Sequence, residues 1–236
     1  MKISPSIKTV LLAACLIIQA CAPAARADSI PAVSVSAGFD VVSRYIWRGL
    51  DLGHTPSIQP GLSVTWKGLT AGAWGAYKIA GKGFMETDLF LSKTFNFVTV
   101  SIYDYYMFDA DGDFNYFNYK DKTTEHAIEA QVFLDGGEKV PFNLLAAWMF
   151  YGADQSRSIY LEAQYEHKFS TLNLTAFAGY QPKGNLYAPD KGFVQLGCTV
   201  RKSIEVTDRF SLPVNLSLIT NPSAGSTWLV AGITIQ

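Results

Sequence analysis

Cysteine is nearly absent from this chain. Of its three, Cys15 and Cys21 fall within the first 27 residues, and Cys198 then stands alone. That excludes an intramolecular disulfide and a cysteine metal site in the remainder. Charge is scarce as well, at 17% of residues, where about 25% is usual for a soluble domain. Beyond the first 27 residues no apolar run reaches the ~18 residues that a transmembrane helix needs. That exclusion does not extend to β-barrels, which span with short alternating strands. No helical periodicity with caps appears, and neither a repeat nor a linker divides the chain.

Several features are present in their place. Lys2 and Lys8 precede the apolar "TVLLAACLIIQACA", and Ala25-Arg26-Ala27 reads as a cleavage site. Residues 1–27 therefore read as a signal peptide and 28–236 as one exported domain. "LAAC" and "IQAC" admit a lipoprotein leader as an alternative, although the first stands too close to Lys8 and the second carries an atypical Gln19. Loss of Lys2, Lys8 and Arg26 leaves 16 of the 19 basic residues against 20 acidic ones, a net charge of −4. Such a balance argues against a nucleic-acid partner.

The exported part alternates with period two, as strands with two unlike faces do. In "IYLEAQYEHKF", Ile159, Leu161, Ala163, Tyr165 and Phe169 oppose Tyr160, Glu162, Gln164, Glu166 and Lys168. The pattern predicts about twelve strands: 33–48, 57–66, 69–79, 86–95, 97–108, 124–134, 142–152, 158–169, 172–181, 192–202, 210–220 and 227–236. His167 is a misfit on the apolar side near the end of its strand, and Pro60 is a local weakness of the second strand because it removes a ladder bond. Tight links near Lys67-Gly68, Asn96 and Ser170-Thr171 alternate with longer ones at 49–56, 80–85, 109–123, 153–157, 182–191 and 221–226. Short turns at one end and longer loops at the other are the habit of outer-membrane barrels.

Alternation alone does not say which face is inside. Two observations favour apolar outside. Aromatics on the apolar stripe gather at strand ends: Trp47, Tyr77, Phe108, Phe150 and Tyr180 at one rim, Trp66, Phe97, Phe142, Phe169 and Phe210 at the other. These make two interfacial girdles. The polar stripe also carries charges deep within strands, which a wet lumen accommodates. The expected fold is an all-β, transmembrane, antiparallel up-and-down barrel, integral to a bacterial outer membrane. A soluble exported barrel or sandwich is the alternative. The chain ends in Gln236 rather than the aromatic residue common at the end of outer-membrane barrels.

The segments "SRYIWRG", "PSIQPGL", "GLTAGAWGAY" and "METDLFLS" resemble the start of the TorF-type porin family, exported proteobacterial β-barrel proteins of poorly known function. Tyr45, Arg48, Gly49, Gln59, Gly61, Gly72, Trp74, Glu86, Asp88 and Leu89 carry the match, over about residues 36–92. Gly75-Ala76 departs from the serine expected there. The resemblance implies a barrel and transport, and it supplies no catalytic residues.

The inward stripe is the candidate site. Parity brings Arg44, Arg48 and Lys78 from the first three strands into the lumen, and Asp88, Glu125, Glu129 and Glu162 from the fourth, sixth and eighth. As pore-lining residues they make a basic wall facing an acidic one, which orients small polar or charged solutes. The alternative is that these charges pair and plug the interior. An outer-membrane lipid hydrolase is a further rival, because parity turns His126 outward beside Asp104 on the neighbouring strand, yet no serine joins them. Asp109, Asp111 and Asp113 have the spacing of a Ca²⁺ loop, but Gly112 is misplaced and Lys120 stands where the closing glutamate belongs. The three histidines do not cluster for a metal. No cofactor is expected. The expected partners are outer-membrane lipid and a small polar solute.

Overall fold

The structure, a computed structural model, describes residues 33–81, 83–109, 112, 115–137 and 139–236. The leader and Asp111, Asp113 and Phe114 of the acidic loop lie outside these residues. Every regular element among them is a strand. In chain order these are β1 (Ser34–Val42), β2 (Ile46–Trp47), β3 (Leu50–Asp51), β4 (Ser57–Trp66), β5 (Leu69–Lys78), β6 (Phe84–Phe95) and β7 (Val98–Asp109). Then follow β8 (His126–Leu134), β9 (Phe142–Gly152), β10 (Ile159–Lys168), β11 (Asn173–Lys183), β12 (Gly192–Thr207), β13 (Phe210–Asn221) and β14 (Ser226–Ile235).

Twelve of them, β1 and β4 to β14, form a closed antiparallel barrel in which each strand pairs with its chain neighbour. Closure falls between β1 and β14, with Phe39 opposite Ile235 and Val42 opposite Gly232. A closed sheet leaves no unpaired edge. The expected alternation of links holds. One end carries the short turns, such as Lys67-Gly68 and Asn96-Phe97. The other carries the segments 43–56, 110–125 and 184–191, and we call it the loop end.

The pleat sorts the residues as parity requires. Leu62, Val64, Leu91, Ile102, Leu144, Leu216 and Leu229 point outward and are exposed, Leu229 at 67%. Glu86, Asp88, Glu129, Glu162, Thr199 and Ser217 point inward and are buried. This inverts the ordinary soluble arrangement. At the turn end Trp66, Phe97, Phe142, Phe169 and Phe210 are all exposed on the rim, as the girdle reading expects. The inner face there is hydroxyl-rich, with Thr65 bonded to Thr70 and Thr94 to Thr99 across neighbouring strands.

The first strand departs from expectation. It does not run to residue 48 but ends at Val42, and residues 46–51 form a separate two-stranded hairpin. Tyr45 and Trp47 therefore do not face outward. Tyr45 is buried at 8% exposure, and Trp47 packs on Tyr105 and Tyr187 of the interior. The reason lies in the turn. Arg48 and Gly49 have φ of 49° and 77°, the pair of left-handed residues that a two-residue hairpin turn demands. Lys67-Gly68 shows the same signature, at 47° and 75°. Alternation continues smoothly through 43–48, so periodicity alone does not register the break.

Candidate functional site

The β2–β3 hairpin enters the lumen from the loop end and reaches the opposite wall. Its tip is Arg48-Gly49. The Arg48 guanidinium meets Glu129 of β8 through two bonds, Nη1 to Oε2 at 2.5 Å and Nη2 to Oε1 at 2.9 Å. Nη1 also donates to the Tyr187 hydroxyl at 2.5 Å. The guanidinium lies over the Trp47 and Tyr160 rings, at 4.7 and 4.5 Å from their centroids. Glu129 accepts further bonds from Tyr105 and Gln131. A planar fork, a carboxylate and aromatic faces suit one another where water is excluded. Opposite, Asn221 Nδ2 donates to the Gly49 carbonyl at 3.0 Å.

Apolar packing completes the bar. Tyr160, Tyr187, Ala147 and Val194 form a buried cluster against which Trp47 and Leu50 rest. Tyr105, Ala127 and Met149 make a second cluster that also touches Trp47. Tyr187 comes from the loop 184–191, which folds inward beside the hairpin. At the hairpin's base, Arg44 is paired with Asp51 at 2.5 Å, and the Tyr45 hydroxyl donates to Glu86 of β6 at 2.9 Å.

The expected basic wall is not formed as parity drew it. Arg44 and Arg48 stand on the hairpin segment rather than on a barrel strand. Arg48 and Glu129 are brought together, but as partners. Lys78 donates to the Gly83 carbonyl at 2.7 Å and lies 3.9 Å from Asp109, so it fastens a loop. Glu125 precedes β8 and is exposed, because the strand begins one residue later than the pattern suggests. Asp88 and Glu162 do point inward. Glu162 is held by Gln164 and Gln195 and by a short bond from Tyr160. Sequence reasoning missed Tyr45, Glu86, Tyr105, Tyr160 and Tyr187. Glu86 shares the parity of Asp88 and was readable. Tyr187 lies in a loop, and nothing local marks it.

His126 faces outward beside Asp104, as expected. Its Nδ1 is 2.7 Å from Asp104 Oδ1, and its Nε2 is 2.6 Å from the Tyr116 carbonyl. Both ring nitrogens are therefore engaged. The Tyr119 ring stacks on the imidazole at 4.0 Å, and its hydroxyl donates to Asp104 Oδ2 at 2.7 Å. Desolvation and that bond push the Tyr119 phenol up, so it stays a donor. The histidine is fully buried. Among the described residues no serine, threonine or cysteine side chain bonds its ring. The arrangement fastens the segment 115–120 onto the outer wall of β7 and β8 through Tyr116 and Tyr119.

The same loop is clasped to its neighbour. Asp121 accepts from Gln155 at 3.2 Å and from Arg157 at 3.2 and 3.4 Å. The Gln155 bond, followed by that of Arg157, holds the Asp121 carboxyl below its ordinary range. A depressed carboxyl stabilises above the unfolded value, near 4, and the benefit is lost as pH falls through the folded one. We therefore expect the clasp to loosen on acidification from about pH 5 to 3. Hydrogen exchange at the amides of 119–124, corrected for intrinsic rates, reads it. Arg157→Ala should flatten this dependence, and identical curves for variant and parent would refute the clasp.

Comparison with known proteins adds one finding. A family model described as a bacterial protein of unknown function (Gcw_chp) matches residues 24–210. No curated protein matches, and no solved structure does.

Proposed function

We propose that the chain, which belongs to the Gcw_chp family of bacterial proteins of unknown function, is an integral outer-membrane barrel whose channel is barred by its own β2–β3 hairpin. The exposed outward belt of Leu62, Leu91, Ile102, Leu144 and Leu229 supports the membrane setting, since apolar surface of that extent is unfavourable in water. The exported leader read from the sequence and the turn-end aromatic girdle point the same way. The likeness to TorF-type porins belongs to this reading too.

One observation carries the function: the buried Arg48–Glu129 bridge that anchors the hairpin across the lumen. A porin of constant conductance leaves its lumen clear. This lumen is filled at the loop end by the hairpin and the side chains packed on it. Small polar or charged solutes pass only when the hairpin withdraws. The protein is a binding and sealing element of the envelope when it stays. No catalytic role is assigned.

Planar-bilayer recording tests this. The folded parent should give no steady conductance steps. Replacing 44–55 by a flexible Gly/Ser linker should open discrete steps. Steady steps from the parent would sink the barred reading, and silence of the linker variant, folded by heat-modifiable gel mobility, would sink the channel beneath it.

A further inference from the structure

The outer wall carries a recess of about 460 Å³ over β8 to β12. The ladder sets Ala146 beside Leu161, and Ala163 between Leu144 and Ala178. All of these side chains point outward. The three alanines are too short to fill the space that Val132, Leu144 and Leu161, all exposed, bound around them. Glu162 borders the recess from beneath, but its carboxylate is turned into the lumen, towards Gln164 and Gln195. Tyr180 and Phe193 close the side nearest the loop end, edge to face with centroids 5.2 Å apart. Just beyond them stand Lys183, the last residue of β11, and Lys191, the residue before β12. Both are exposed, and among the described residues neither is held by an ion pair or a hydrogen bond. They outnumber the exposed Asp190 beside them.

An apolar recess with cations at one end fits an amphiphile whose head is anionic. The Tyr180–Phe193 pair marks the level at which an apolar wall gives way to polar headgroups. Lysine stems run along apolar surface and leave the ammonium at that level. A second copy of the chain fits less well. A two-fold contact sets the same patch against itself, so recess would face recess and leave a doubled void, which close packing disfavours. We propose that the recess is a site for a phosphorylated membrane lipid. One acyl chain lies against Ala146, Ala163 and Ala178, and Lys183 and Lys191 hold the phosphate. The inference rests on the membrane setting proposed above and is independent of the bar.

The full barrel, reconstituted in phosphatidylcholine vesicles, is titrated with phosphatidic acid or phosphatidylcholine carrying brominated acyl chains, contact quenchers of tryptophan. Trp148 is the reporter. It is 48% exposed and shares the outward face of β9 with Ala146. Trp66→Phe removes the other outward tryptophan from the background. Brominated phosphatidic acid should quench Trp148 at a mole fraction about tenfold lower than brominated phosphatidylcholine does. Salt at about 1 M should shrink that preference. Lys183→Gln/Lys191→Gln should abolish it. Ala163→Phe fills the recess, keeps both lysines and should abolish it too. All three positions are exposed, so these barrels should fold, which heat-modifiable mobility checks. Equal quenching by the two lipids in the parent would overturn the site, as would a preference that survives either variant. A lipid-free dimer in native mass spectrometry would overturn it in favour of a second copy. Barrels that do not float with the vesicles would sink the membrane setting and the site together. Floating barrels with equal quenching would sink the site alone.

Discussion

Glu129→Ala should lower the stability of the barred form by about 3–5 kcal/mol, the usual cost of removing one partner from a buried ion pair. The size follows from what is left behind. Arg48 is 7% exposed, and without Glu129 its guanidinium keeps only the Tyr187 hydroxyl and the rings above and below it. An uncompensated charge in a dry lumen is costlier than the pair is beneficial. The double variant Arg48→Ala/Glu129→Ala should therefore lose less than the sum of the two single changes, a coupling that a double-mutant cycle measures. Arg48→Lys should not rescue, because an ammonium offers neither the two-pronged bond nor the flat face for Trp47 and Tyr160. The loss cannot exceed the free energy of docking the hairpin. Beyond that point the hairpin leaves and the barrel stays closed around a clear lumen. Denaturant unfolding in detergent and conductance in bilayers report the two regimes. A Glu129→Ala barrel as stable and as silent as the parent would refute the bridge as the anchor.

Gly49→Ala should act as strongly from a single methyl group. Gly49 has φ of +77°, and a Cβ built there would sit 1.9 Å from the Val194 carbonyl oxygen and 3.2 Å from Asn221 Nδ2. The first obstacle is backbone of β12, which cannot rotate aside. The left-handed conformation costs an alanine about 1–2 kcal/mol, and the overpacking adds about 1–3. Gly225 provides the contrast. It is also left-handed, at φ +61°, but nothing lies within 4 Å of a Cβ placed there. Gly225→Ala should show only the conformational part. The expected order is a large effect at position 49, with conductance steps appearing, and a modest one at 225 without them. Equal effects would mean that the tip does not press on the wall.

Much of the barrel is readable from residue order. A strand in a two-sided wall must alternate, and "IYLEAQYEHKF" does so whatever its neighbours are. Strand number, the order of the ladder, the alternating link lengths and the exposed turn-end aromatics all follow from such local regularities. So does the outward placement of His126 beside Asp104, which is parity applied to adjacent strands. The same rule fails at residue 43 for a physical reason. Parity describes a chain that keeps its direction, and the left-handed Arg48-Gly49 turn reverses it. Arg-Gly between Ile46-Trp47 and Leu50-Asp51 is a weaker hairpin signal than Asn-Gly, so the arginines read as one more stretch of wall.

Residue order thus specifies a closed sheet with polar residues inside, because each strand carries its own pattern of faces. It does not specify what fills the lumen. Arg48 meets Glu129 across 81 positions, Tyr187 across 139, and Tyr45 meets Glu86 across 41. These contacts depend on closure, which sets β8, β10 and the 184–191 loop around a hairpin from the far side of the barrel. Charge type along the chain names which residues need a partner in a dry interior. Which of them find one, as Arg48 finds Glu129 and Glu86 finds Tyr45, is a property of the folded barrel alone.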